Sequence, residues 1–394
     1  MAEFRDMVRL FRKLSEEERR KLESLSKHIT SKTAIKYIER LLKQRKIKIN
    51  SIQPEFNMLP ETGLVYLQLE SAVKDNEIED QVKQLNKDLS EKIEQQLFSS
   101  FSDVASDILP KMIAPEIVGF EMVKKAVAIQ LFCRERIHIL LLGDPGTGKT
   151  KILDAATKLH PISSMGLGSG TSGAGLAVTM KGNEVIKGLL PMADQGICAI
   201  DELNLMKDDS RASLYNAMES GFVSYNKGGK HYKFDARVSV LATANPKGDR
   251  FKGTKPQELK KQLPFDPALL SRFHLTFLVK RPGVEEFKSI SKSILSGKKQ
   301  RVSGNERKFI KKYVKYANQL SEPELPKRFE QGVVDFIGRI KQNEKEHLIE
   351  VSPRLVVGFM RMAQALARSE LRTKVEEKDI STVKEIIRDS LKIR

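Results

Sequence analysis

The stretch Leu141–His160, LLGDPGTGKTKILDAATKLH, constrains this chain more than any other. The apolar run HILLL leads into GDPGTGKT, and KILDAATKL follows with helical spacing. The octapeptide fits G-x-x-x-x-G-K-[ST]. Gly143, Gly148, Lys149 and Thr150 hold the fixed positions, with Asp144, Pro145, Gly146 and Thr147 between them. Glycines let backbone N–H groups close around phosphate oxygens, and the helix that follows turns its positive end toward them. Lys149 supplies a point charge for β- and γ-phosphates, and Thr150 a hydroxyl for Mg²⁺. A strand, a phosphate loop and a helix in this order predict an α/β fold whose ligands are ATP and Mg²⁺.

A loop that holds phosphates does not hydrolyse them. QGICAIDELNLM provides a second apolar strand, ending in Asp201 and Glu202. Asp201 is placed to hold Mg²⁺ through water and Glu202 to polarise an attacking water. A third strand, RVSVLATANP, ends in Asn245, a polar residue able to orient that water. Such hydrolysis asks the protein for positioning and charge stabilisation. Two arginines, Arg272 in LLSRFHLTF and Arg354 in SPRLVVGF, have no acidic neighbour in sequence. A place on the surface is the usual fate of an isolated arginine. A cation delivered across a subunit boundary, however, would neutralise the far side of a γ-phosphate, which implies a head-to-tail oligomer.

The remaining features bound the class. The 69 Lys+Arg against 51 Asp+Glu leave +18, a balance that favours a polyanionic partner, although a generally Lys-rich surface gives the same count. Two cysteines, Cys133 and Cys198, lie far apart without metal spacing, which argues against zinc and a disulfide framework and for buried thiols in a reducing compartment. No apolar run reaches membrane-span length and no signal-peptide pattern opens the chain, so a cytoplasmic, membrane-free protein is expected. The pattern divides the chain into four parts. Residues 1–90 form a small, mostly helical N-terminal domain and 91–112 a helical linker. Residues 113–281 form the α/β core, and 282–394 an all-α lid. Within the first, KIKINSI and LVYLQLE read as strands flanking the turn QPEFNMLPETG. In the core, VSYNKGGKHYKF reads as a hairpin with lysines at its tip.

With these motifs in hand the chain resembles the AAA+ ATPases, and within them the minichromosome maintenance (MCM) replicative helicases. IAPEIVGFEMVKKAVAIQLF, GDPGTGKT, SGAGL, LLPMADQGICAIDELNLM, DDSRASLYNAMESGFVSYNKGG, LATANP, LLSRF and SPR carry the resemblance from about Ile113 to Lys392. It implies a P-loop AAA+ three-layer sandwich with a parallel sheet, followed by the helical lid. It makes Asn245 the first sensor, Arg272 the arginine finger and Arg354 a second sensor acting on the neighbour's nucleotide. The segment GSGTSGAGLAVTMKGNEVIKGLLPMADQG takes the place of the family's insertion in its second helix. The hairpin then points into the channel of a hexameric ring, where Lys227, with Lys230 and Lys233 in support, tracks single-stranded DNA. The implied host is an archaeal-type cell, with the protein near its nucleoid.

The chain departs from the family pattern in several places. GKT replaces the usual Ala-Lys-Ser, Ser220-Gly221 the usual glutamines after AME, and His274 the usual acid after SRF. None removes a catalytic group. The N-terminal part carries no zinc cysteines, and a short homologue without the zinc subdomain and the C-terminal winged helix is expected. KINSIQPEFNMLPETGLVYLQLE resembles part of an oligonucleotide-binding barrel, and a small winged-helix-like unit suits the same residues. In Met1–Asn50, 15 Lys+Arg face 7 Asp+Glu, so DNA contact and a solvated helical face are both open. The resemblance implies a DNA translocase, alone or in a mixed ring with a full-length paralogue. A reduced paralogue acting as an ATP- and DNA-binding scaffold is the second reading. A protein-remodelling ATPase of the magnesium-chelatase clade is the third.

Overall fold

Four mostly apolar segments, ILLLG, ICAID, SVLATA and LTFLV, are buried along their whole length, as parallel strands covered on both faces must be. The computed structural model describes residues 94–393, apart from 182–183, 228–229, 249, 282 and 296–300, together with two short strands further upstream. The chain divides into two units, residues 1–104 with 303–309, and residues 105–302 with 310–394.

In the first unit, β1 (Glu55–Met58) and β2 (Val65–Gln68) pair antiparallel, Met58 opposite Val65. β2 falls where LVYLQLE predicts it. β1 lies inside the stretch read as a turn, so the first strand of the pair falls later in the chain than expected. KIKINSI and the helical part expected before it lie outside the described residues, and so does most of the stretch on which the barrel and wing alternatives rest. Helical residues 94–102 set the Phe98 and Phe101 rings 5.6 and 5.3 Å from Phe309.

The second unit holds the sheet. Helices α1 (Ala105–Met112) and α2 (Glu121–Gln130) precede β3 (Ile139–Gly143), and α3 (Lys149–Leu159) follows the phosphate loop. β4 (Ser163–Leu167) comes next, then an insertion in which β5 (Val178–Lys181) and β6 (Glu184–Lys187) pair antiparallel. β7 (Ile197–Asp201) leads through a 3-10 turn at Leu203–Leu205 into α4 (Asp208–Ser220). The expected hairpin is β8 (Phe222–Lys227) with β9 (Lys230–Asp235), followed by β10 (Ser239–Ala244) and β11 (Leu275–Val279). The main sheet has the order β11-β3-β10-β7-β4, parallel throughout.

That order brings the expected chemistry together. β3 lies between β10 and β11, and β7 lies on the other side of β10, so three C-terminal strand ends adjoin at a topological switch point, where parallel sheets bind ligands. Leu142 pairs with Ala244, and Ala242 with Ile200.

The rest of the chain is helical: α5 (Val284–Leu295), α6 (Gly304–Gln319), α7 (Glu330–Gln342), α8 (Arg354–Ser369) and α9 (Glu377–Leu391). α9 packs on α8, α2 and β11. Arg368, almost fully buried, donates to the Phe132 carbonyl at 2.7 Å and pairs with Glu322. Arg372 grips Asp379 with a two-pronged bond of 2.8 and 2.6 Å, and the Glu376–Asp379 capping box starts α9. Among the described residues no helix is long and apolar enough to cross a membrane.

Candidate active site

The loop after β3 is shaped by its neighbours before any ligand arrives. A Cβ on Gly143 would sit 1.8 Å from the Val279 carbonyl oxygen on β11, so no side chain fits there. Gly148 has φ 89°, which only glycine adopts freely, and a Cβ there would press on Ile117 at 2.9 Å. Asp144 buttresses the loop. Its N–H donates to Val279 O at 3.1 Å, and its carboxylate accepts from the backbone N–H groups of Phe251 and Arg281 at 3.0 and 3.4 Å. Thr147 Oγ1 donates to Asp144 O at 2.9 Å, while Pro145 and Gly146 form the outer turn.

Lys149 opens α3 with its ammonium folded over the loop, donating to the carbonyls of Gly143 at 2.8 Å and Asp144 at 2.7 Å. Its third contact, to Thr147 Oγ1, is long at 3.5 Å, and it is the one a phosphate oxygen would displace most readily. Burial lowers its pKa to about 8, against the opposing pull of Asp144, Asp201 and Glu202. A dianionic phosphate answers that deficit.

Thr150, the next residue, donates through Oγ1 to Asp201 Oδ2 at 2.8 Å. A hydroxyl and a carboxylate in contact form a hard-oxygen donor pair, which fits Mg²⁺ bound mostly by water and phosphate. Asp201 is buried, and its other oxygen accepts from Thr243 Oγ1 at 2.5 Å. The same Thr243 oxygen accepts from the Glu202 N–H at 2.8 Å. Glu202 is left-handed, φ 53° and ψ 47°, so β7 breaks at this residue and the carboxylate leaves the strand line. Asn245 follows β10, its N–H donating to Asn204 Oδ1 at 2.9 Å.

Thr243 and Asn204 hold the two acids and Asn245 in place, and the motif reading does not include them. Thr243 stands in LATANP, two residues before Asn245, and Asn204 in DELN, three after Asp201. The signal for both is a polar residue at a strand end, and only strand order shows what it touches. Ile117 against Gly148 was likewise invisible. Lys124 is buried and donates to the Ile117 carbonyl, which fixes that residue over the loop.

The two arginines belong to a different cluster. Arg272 donates to Ala268 O at 2.7 Å and to Glu219 Oε2 at 2.8 Å, and lies over the Tyr215 ring at 4.8 Å. Arg354 donates to Ser271 O at 3.0 Å and ion-pairs with Glu219 Oε1 at 3.8 Å. None of these partners belongs to the phosphate cradle.

On the hairpin, Lys227 and Lys230 are directly paired in register. Lys233 lies opposite Ser224, with its ammonium 4.0 Å from the centre of the Phe222 ring. Tyr232 and Phe234 stack at 6.4 Å.

Known families account for this arrangement. The MCM P-loop domain matches residues 90–297, which include the cradle, both acids, Asn245, Arg272 and the hairpin; the MCM AAA-lid domain matches residues 308–391, which include Arg354. The chain belongs to the minichromosome maintenance family. It is similar to the minichromosome maintenance protein MCM of Saccharolobus solfataricus, 31% identical over 304 residues, covering 72% of this chain and 44% of that protein. DNA replication licensing factor MCM4 of Arabidopsis thaliana is 32% identical over 310 residues, covering 71% of the chain and 36% of that protein. Licensing factor mcm7 of Xenopus tropicalis is 32% identical over 316 residues, covering 72% and 43%. The chain therefore spans less than half the length of these MCM relatives.

Proposed function

We propose that this MCM chain is an ATP-dependent DNA translocase that hydrolyses ATP between adjoining copies and moves hairpin lysines along single-stranded DNA. One observation supports this most. Lys149, Thr150, Asp201 and Glu202 are organised in one chain, whereas Arg272 and Arg354 are organised apart from them, on Glu219. In this reading the cradle with its acids and the arginine cluster are two halves of a hydrolytic site, completed between adjoining copies of a ring.

In this reading the loop N–H groups and Lys149 hold the β- and γ-phosphates, and Thr150 and Asp201 hold Mg²⁺. The metal, when bound, neutralises charge that builds between the β- and γ-phosphoryl oxygens. Glu202, released from the strand line at its left-handed backbone, polarises the attacking water, which Asn245 orients. Arg272 and Arg354 of the next copy stabilise charge on the transferred group, a contribution of roughly 10³- to 10⁵-fold in related chemistry. The hairpin supplies the DNA contact. Lys227 and Lys230 flank the tip, while Lys233 is committed to the Phe222 ring and contributes less.

ATPase and forked-DNA unwinding assays on wild type, Lys149→Ala, Glu202→Gln and Lys227→Ala test this. Translocation requires DNA-stimulated hydrolysis, unwinding lost in all three variants, and hydrolysis that survives Lys227→Ala. A wild-type chain that binds DNA but never separates strands is a scaffold, and one indifferent to DNA acts on another substrate.

A further inference from the structure

Tyr215 and Glu219 stand four residues apart on α4, so they share one helix face. That face receives both arginines. Glu219 gives each of its oxygens to a different guanidinium, Oε2 to Arg272 and Oε1 to Arg354, while the Tyr215 ring lies against Arg272. The other anchors are backbone carbonyls, Ala268 for Arg272 and Ser271 for Arg354. Among the described residues, Arg272 Nε is buried without an acceptor, so its planar head is oriented by Ala268, Glu219 and Tyr215 alone.

We propose that Glu219 is a positioning residue that holds Arg272 and Arg354 as an aligned pair for the phosphates of a neighbouring copy. The proposal rests on the reading that the two arginines act in trans. Two guanidinium groups brought toward one phosphate repel each other, and a carboxylate bridging them offsets that repulsion before the phosphate arrives. Without the bridge each arginine keeps its carbonyl anchor but loses its alignment with the other. Glu219 is half-exposed, so its ion pairs are screened and add little to fold stability. Its contribution lies in geometry, where a misplacement of about 1 Å costs up to about 100-fold in rate.

The test uses full-length chains under conditions that support assembly. Glu219→Gln keeps the shape and removes the charge. The expected result is a kcat lower by about 10- to 100-fold, with KM and the melting temperature nearly unchanged. Added to the Arg272→Ala, Arg354→Ala double variant it leaves the rate no lower, because Glu219 acts only through those two groups. The decisive readout is a mixture. Chains with Glu219→Gln have a sound cradle and misaligned arginines, and chains with Lys149→Ala have a dead cradle and sound arginines. Mixed assemblies should hydrolyse ATP faster than either variant alone. Glu219→Asp, which keeps the charge on a shorter arm, should fall between wild type and Glu219→Gln.

Several outcomes overturn the proposal. Full activity in Glu219→Gln while Arg272→Ala is inactive removes Glu219 and leaves the trans reading intact. Absence of rescue by Lys149→Ala, where Arg272→Ala is rescued in the same mixture, places the effect inside the same chain's cradle. Full activity in both Arg272→Ala and Arg354→Ala removes the trans reading itself.

Discussion

Thr243 donates its hydroxyl proton to Asp201 at 2.5 Å and, through the same oxygen, accepts the backbone N–H of Glu202. One hydroxyl therefore serves both acids, and it reaches them because β10 and β7 are neighbours in register. Thr243→Val keeps the shape and removes both bonds. The buried Asp201 carboxylate and the Glu202 amide lose their partner, at a cost of about 1–3 kcal/mol. The expected outcome is a drop in denaturation midpoint and a kcat reduced by at least about tenfold, since about 1.4 kcal/mol is tenfold in rate. Thr243→Ser, which keeps the hydroxyl, should restore most of both.

Two loop glycines should respond differently to the same change. Gly143→Ala drives a methyl into the Val279 carbonyl, backbone against backbone between adjacent strands. Neither strand yields cheaply, so destabilisation above about 3 kcal/mol is expected. Gly146→Ala meets nothing within 4 Å, and its cost is the φ of 78° alone. That is about 1–2 kcal/mol. Urea unfolding of the two variants measures the contrast.

The depressed pKa of Lys149, about 8, should make nucleotide binding in the proposed site pH-dependent. The free lysine is charged at pH 7 and increasingly neutral above pH 8. A bound triphosphate favours the charged form, so binding takes up a proton once the free group has lost it. Affinity for ATP with Mg²⁺ should fall as pH rises from 8 to 9.5. Calorimetry at pH 8.5 in two buffers of different ionisation enthalpy should register net proton uptake. Equal heats in both buffers would contradict this account.

A buried histidine pair should govern acid stability. His138 Nδ1 accepts from the Val240 N–H at 3.1 Å, and His274 Nδ1 accepts from the His138 N–H at 3.0 Å, so both rings are held neutral. Burial, reinforced by Arg354, Arg361 and Arg136, lowers His274 to about 3. Burial and the neighbouring His274 lower His138 well below its ordinary value. In the unfolded chain both take a proton near pH 6.5. Stability is therefore fully present above that pH and falls as pH drops below it, by about 1.4 kcal/mol per pH unit for each ring. Asn at position 274 can offer an acceptor oxygen without titrating. His274→Asn should flatten the slope between pH 6.5 and 4 by one histidine's share.

Much of the site could be read in advance because phosphate chemistry is local. A glycine loop, a lysine and a hydroxyl must be consecutive to surround one phosphate chain, so GDPGTGKT is legible without any tertiary information. Asp201, Glu202 and Asn245 were legible for a related reason. Each is a polar residue ending an apolar run, and a parallel sheet presents such residues at one edge. The arginines were harder. Their residue type was visible, but Glu219 lies 53 residues before Arg272 and 135 before Arg354, and no local pattern links them.

The amino-acid sequence by itself determined strands β3, β7 and β10, the hairpin, the cradle and the identity of the charged groups, because these depend on hydrophobic runs and on residues adjacent in the chain. Only the tertiary structure decided which groups meet. Strand order set Thr243 between the two acids, the approach of β11 excluded any side chain at Gly143, and the helical lid brought Arg354 to the carboxylate that already held Arg272. Those contacts join positions remote in the chain, and closing the loops between them is governed by the packing of the whole unit rather than by any local preference.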